Sequence, residues 1–85
     1  MPSLIPSRLR RQRTTASQTL AVLAGRADMS PQHLSDVESG KVDPRLSTIE
    51  RIAESLGLSL ILVPKATAPA IRRMLVSDER RKKKP

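Results

Sequence analysis

The pair Ser30-Pro31 and the glycine Gly40 bracket a single short segment, Gln32-His33-Leu34-Ser35-Asp36-Val37-Glu38-Ser39, and leave it little choice but to be one short helix. The Ser30 hydroxyl can accept a hydrogen bond from an orphan N–H of the first turn, and Pro31 at the first helical position has no N–H to waste. Gly40 can take the left-handed conformation that ends a helix. Between these limits Leu34 and Val37 lie three apart on one face, while Gln32, His33, Ser35 and Asp36 project elsewhere. The result is a short helix with an unusually polar outer face.

That face belongs to a basic chain, with 16 Lys and Arg against 8 Asp and Glu, which makes the helix suited to reading base edges in a DNA major groove. The net charge of +8 favours a polyanionic partner, yet the run Arg80-Arg81-Lys82-Lys83-Lys84 supplies much of it and the rest of the chain is only mildly basic. Such a run reads either as a solvated, disordered end or as a flexible arm that strengthens DNA binding without reading sequence. At 85 residues the chain makes one small domain that buries a modest share of its surface, so burial against a partner is expected. With no Phe, Trp or Tyr, the core must come from Leu, Ile, Val, Ala and Met, which suits short, closely packed helices. The same absence removes the stacking platforms of single-strand binders.

Zero cysteines exclude a disulfide framework and a thiolate metal site, and the single His33 cannot build a histidine metal cluster, so neither metal nor cofactor is expected. No nucleophile, base and orienting group can be drawn together, so an enzyme is not expected either. No segment approaches the length of a membrane span, and Met1 to Pro6 lacks the apolar stretch of a secretory signal. The expectation is a cytoplasmic, bacterial, nucleoid-associated protein.

Along the chain, Ser7 is a cap for a first helix over Arg8 to Ala16, with Leu9 and Arg13 on one face. Thr19 caps a second, in which Leu20, Leu23, Ala24 and Ala27 form an apolar stripe. A tight turn at Asp28-Met29 leads to the polar helix, which is the spacing of a helix-turn-helix. After the loop Lys41 to Pro44, Ser47 or Thr48 caps a fourth helix with Ile49, Ile52, Ala53 and Leu56 inward, and Gly57 ends it. Leu58-Ser59-Leu60-Ile61-Leu62-Val63 is branched, apolar and stopped by Pro64, and reads as a strand; the alternative is a fifth helix closing the domain. A single strand in a helical domain lacks a ladder partner, which pairing with the same strand of a second subunit would supply. The expected architecture is therefore mainly α. Residues 1–63 make a four- to five-helix DNA-binding domain with a dimerisation strand at 58–63, and 64–85 hold a linker, a short helix over Ala70 to Val76 and a basic flexible tail.

The pattern Ser30-x-x-x-Leu34-Ser35-x-Val37-Glu38-x-Gly40-Lys41, with Leu23-Ala24-x-x-Ala27 before it and Ile52-Ala53-x-x-Leu56-Gly57 after, resembles the helix-turn-helix (Xre) family of the lambdoid phage repressors and Cro proteins. The resemblance runs without a gap from about Arg8 to Lys41. It implies a lambda-repressor-like fold and an ion pair between Arg13 of helix one and Glu38 of helix three. It also implies base readout from Gln32, His33, Ser35 and Asp36, with phosphate contacts from Arg10, Thr19, Lys41 and Arg45. Gln32 suits bidentate pairing with adenine. Two positions depart from the family: Leu20 stands where a Gln often begins the second helix, and Gln18 where an apolar core residue is usual. A register using Ser17-Gln18 as the family's Ser-Gln pair would need two extra residues before Ser30, and the gapless one also pairs Arg13 with Glu38.

The segment Leu56 to Lys65 is similar to the end of HipB-type antitoxins, whose repressor-like domain is followed by a strand that pairs across the dimer. The strand residues are Leu58, Leu60, Ile61, Leu62 and Val63. This resemblance implies a homodimeric, autoregulatory repressor of an inverted-repeat operator on double-stranded DNA that also holds a HipA-like kinase toxin. A stand-alone Xre/Cro-type phage or housekeeping regulator is the alternative, and a nonspecific nucleic-acid binder a further one.

Overall fold

The computed structural model describes residues 4–83, with side chains over 4–76, and places five helices among them: α1 (Ile5–Thr15), α2 (Leu20–Arg26), α3 (Pro31–Glu38), α4 (Leu46–Ser55) and α5 (Ala68–Lys83). The first four all stop in the same way. A residue just past each helix takes a left-handed backbone: Ser17 (φ 57°), Asp28 (φ 56°), Gly40 (φ 76°) and Gly57 (φ 72°). The next N–H then reaches back to a carbonyl of the last turn, from Gln18 to Arg13 (3.1 Å), Met29 to Ala24 (2.9 Å), Lys41 to Asp36 (2.9 Å) and Leu58 to Ala53 (2.8 Å). These endings satisfy carbonyls that would otherwise be orphaned and reverse the chain within very few residues.

Starts are more varied. The Thr19 hydroxyl accepts from the Val22 N–H (3.1 Å) to open α2, and the Ser30 hydroxyl accepts from the His33 N–H (3.1 Å) to open α3. Helix α1 begins at Ile5 with Pro6 in its first turn, ahead of the expected start at Arg8, and Ser7 is no cap: its hydroxyl donates back to the Leu4 carbonyl (3.0 Å). A proline there removes no helical bond, since first-turn N–H groups have no partner inside the helix. Helix α4 opens at Leu46 after extended Arg45, with no side-chain cap. Of the two residues expected to cap it, Thr48 is instead buried against the core and Ser47 is exposed within the first turn.

Leu9, Leu23, Ala24, Ala27, Leu34, Val37, Ile49, Ile52 and Ala53 form one buried aliphatic cluster, edged by Leu20, Met29, Leu56 and Leu58. Helix α2 packs on α3 and α4, and α1 packs on α3. Small Ala24, Ala27 and Ala53 let backbones approach closely, so short side chains fill the interior without an aromatic ring.

Two expectations fail beyond α4. Residues 58–63 form no strand among the described residues; the segment is irregular, with Ile61 80% and Leu62 fully exposed. A strand is defined by its ladder, and a single chain of helices offers this segment no second strand to bond with. The stretch read as a linker, a short helix and a flexible basic tail is a turn at Pro64–Thr67 followed by the 16-residue α5, which runs through the basic residues to Lys83. From Ala70 to Lys83 no Gly or Pro interrupts a run rich in Ala, Arg, Met, Leu, Glu and Lys, all strong helix formers. Lys84 and Pro85, the end of the expected tail, lie outside the described residues.

Because a side chain in the left-handed conformation costs roughly 1–2 kcal/mol, Ser17→Gly is expected to stabilise the domain by about 0.5–1 kcal/mol, seen as a higher urea midpoint. Gly57→Ala is expected to lower it, although a Cβ at Gly57 meets no atom within 4 Å, so the change isolates backbone strain from packing.

Candidate nucleic-acid interface

Helix α3 is held at three points. Its first turn is tied by the Ser30 cap, its middle by fully buried Leu34 and Val37, and its last turn by Glu38. Glu38 is 7% exposed, and a carboxylate so placed needs a partner. Arg13 of α1 supplies it with both prongs of its guanidinium: Nε donates to Glu38 Oε2 (2.8 Å) and Nη2 to Oε1 (3.0 Å). The third donor, Nη1, reaches the Gln18 carbonyl (2.8 Å) in the turn between α1 and α2. The hydrogen bond to Glu38 is the main cause that raises the Arg13 pKa above its ordinary value, ahead of the opposing effect of burial. One side chain thus fastens α1, the α1–α2 turn and α3 to one another.

With its inward side occupied, α3 turns the remaining residues outward. Pro31, Gln32 and His33 are exposed, while Ser35 and Asp36 are half-buried. Gln32 and Asp36 are brought together, Nε2 of the amide donating to Oδ1 of the carboxylate (3.0 Å). The Asp36 backbone carbonyl accepts from the Ser39 hydroxyl (3.2 Å) and from the Lys41 N–H, so the residue is anchored at the end of the helix. Spacing of four on a helix was the available signal for the Gln32–Asp36 contact. Nothing in the sequence pointed to the Gln18 carbonyl as a partner of Arg13.

The residues expected at phosphates are all exposed: Arg10 on α1, Thr19 at the start of α2, Lys41 just after the end of α3, and Arg45 just before α4. The Thr19 oxygen is already engaged in capping, which leaves its O–H free to donate. Gln18, at the family's apolar position, is half-buried and its side-chain Oε1 is a buried acceptor without a partner. Among the described residues no group of three or more His, Cys, Asp or Glu side chains is placed to hold a metal ion, and no helix is long and apolar enough to cross a membrane.

Two helices joined by a tight turn, the second presenting a polar face beside a cationic loop, make a helix-turn-helix. A family profile described as a helix-turn-helix domain matches residues 7–66, and the chain belongs to that family of DNA-binding domains. It is also 33% identical over 73 residues, or 86% of its length, to an uncharacterised HTH-type transcriptional regulator, y4dL, of Sinorhizobium fredii. The matched region is 37% of that relative, so the chain spans little more than a third of it. No solved structure matches.

Removing one member of a buried ion pair leaves the other charge unpaired, so Arg13→Met is expected to cost about 3 kcal/mol in urea denaturation. Adding Glu38→Leu is expected to recover part of that loss, because the double variant buries no orphan carboxylate.

Proposed function

We propose that the protein is a homodimeric, sequence-specific transcriptional repressor, non-enzymatic and cytoplasmic, that binds an inverted-repeat operator on double-stranded DNA. The observation that carries this reading is the outward row of α3, a hydrogen-bonding face on a helix immobilised by Ser30, Leu34, Val37 and Glu38. The helix-turn-helix family and the name of the Sinorhizobium relative support a DNA-binding transcription regulator. In this reading Gln32 pairs bidentately with an adenine, His33 and Ser35 contact neighbouring base edges, and Arg10, Thr19, Lys41 and Arg45 hold phosphates. Gln32→Ala is then expected to relax base preference at one position and cost about 1–3 kcal/mol there, whereas Lys41→Ala weakens all sequences alike. Binding titrations on a selected site and on a scrambled duplex at two salt concentrations separate the two effects.

Dimerisation is assigned to 58–63. Leu60, Ile61, Leu62 and Val63 are exposed, and Leu60 lines a mainly apolar groove of about 520 Å³ together with Ile5, Leu9, Leu56, Leu58 and Leu75, which Arg8, Arg11, Gln12 and Thr15 also line. Pairing of this segment with that of a second copy would bury these side chains and satisfy the open backbone groups. Replacing Leu60 and Leu62 by Lys is expected to yield monomers in sedimentation equilibrium; an unchanged dimer would exclude this interface. The similarity of Leu56 to Lys65 to the end of HipB-type antitoxins extends the proposal to an autoregulatory antitoxin of a HipBA-like module, with a HipA-like kinase toxin as partner. Expression from the native operon is expected to copurify a kinase-like protein, and its absence there favours the stand-alone regulator.

A further inference from the structure

Asp36 lies on the proposed reading face, yet its carboxylate is already occupied. It accepts from Gln32 Nε2 at 3.0 Å, one helical turn away on the same side of α3. A glutamine amide carries one acceptor and two donors, and when it rotates by half a turn the donor and acceptor ends exchange places. Read one way, the pair of Oε1 and one N–H matches the N6 donor and N7 acceptor of adenine; turned over, it no longer matches that edge. An ionised carboxylate is an acceptor only, so it can hold the nitrogen end of the amide and not the oxygen end. The Nε2 group has two N–H bonds, and the one given to Asp36 leaves the other, with Oε1, available to a base.

The geometry points to Asp36 as a positioning residue that fixes the orientation of the Gln32 amide and so sets the protein's preference for adenine, without touching a base itself. This rests on the assignment of Gln32 as a base reader. Asp36 is itself held firmly, being half-buried and having a carbonyl that accepts from both the Ser39 hydroxyl and the Lys41 N–H where α3 ends. A free carboxylate facing DNA would be repelled by phosphates and would gain only where a cytosine or adenine amine met it. Directed at Gln32, the same charge favours the bound amide, and the hydrogen bond strengthens when DNA excludes water from it.

The test uses the full chain and a DNA duplex library with a randomised central region, bound and sequenced for the wild type, Q32A, D36A, D36N and the double variant Q32A/D36A, each checked for unchanged helix content by circular dichroism. Loss of the negative charge is expected to raise affinity for all sequences, so the readout is the ratio between bases at each position. D36A is expected to reduce adenine preference about tenfold at the one position that Q32A also affects. D36N, whose amide can accept from Nε2 or donate to Oε1 and so no longer selects one orientation of Gln32, is expected to lose most of that preference as well, and D36A is expected to add nothing in the Q32A background. If D36A altered a different base pair, or acted equally in Q32A, Asp36 would be reading DNA directly and the inference would fall. If Q32A abolished a preference that D36A left intact, positioning would be excluded while Gln32 stayed a reader. If Q32A changed no preference at all, the base-reading assignment itself would fail, and this inference with it.

Discussion

Everything α3 presents to its surroundings depends on one guanidinium. Arg13 lies at the end of α1, and its three nitrogens each donate one hydrogen bond, fixing the carboxylate of α3 and the carbonyl of the α1–α2 turn at once. The return bond, from the Gln18 N–H to the Arg13 carbonyl, ties the same two residues a second time and closes the turn around left-handed Ser17. A lysine could not replace it, because a point charge cannot hold both carboxylate oxygens and a carbonyl in fixed directions. An eight-residue helix is far too short to persist alone, so its register has to come from outside. Leu34 and Val37 fix how deep α3 sits; the Arg13–Glu38 pair fixes how it is turned. Rotation about its own axis is the motion that would scramble which side chains face outward, and the pair opposes that motion at the end of the helix opposite the Ser30 cap.

The rest of the domain follows from the same shortness of its parts. Four short helices reverse direction through left-handed residues, which keeps connections tight and leaves little room for large side chains between the helices. Aliphatic residues with several alanines at the crossings fill that space, and the absence of aromatic residues fits the close approach.

Much of this is legible in the sequence. Thr19, Ser30, Gly40 and Gly57 mark helix ends by local chemistry alone, and the inward set Leu23, Ala24, Ala27, Leu34, Val37, Ile49, Ile52 and Ala53 follows from helical spacing. The positions that are not legible share a cause: their conformation is decided by something other than the residues beside them. Ser17 carries no local signal and adopts positive φ where the chain reverses between α1 and α2, whereas Asp28, a residue type that tolerates positive φ, stands at the turn expected at Asp28-Met29. Helix α4 begins at Leu46 after extended Arg45 with no side-chain cap, and Thr48, expected to cap it, is buried within its first turn instead. The segment 58–63 has the composition of a strand, but composition cannot supply a ladder. Helix α5 extends past expectation because a run of like charges argues for disorder only when intrinsic helix propensity does not oppose it. At the site, the Arg13 bidentate contact was implied by resemblance, whereas the Gln32–Asp36 bond needed only the rule for residues four apart.

The proposed reading face and the exposed apolar segment bear on one another through size. Eight residues of helix extend about 12 Å, and at 3.4 Å per base pair such a helix meets only three or four of them. A site that short recurs throughout any genome, so one copy of α3 cannot select an operator. The proposed pairing of 58–63 across two copies answers both difficulties: it removes Ile61 and Leu62 from water and doubles the sequence that is read. It also makes selectivity depend on concentration, since a dimer held by one short segment dissociates on dilution and each half then binds with the affinity of a single helix. Were the chain to repress its own synthesis, as proposed, that dependence would close the loop, because recognition of the operator would rise only when enough chain is present to pair.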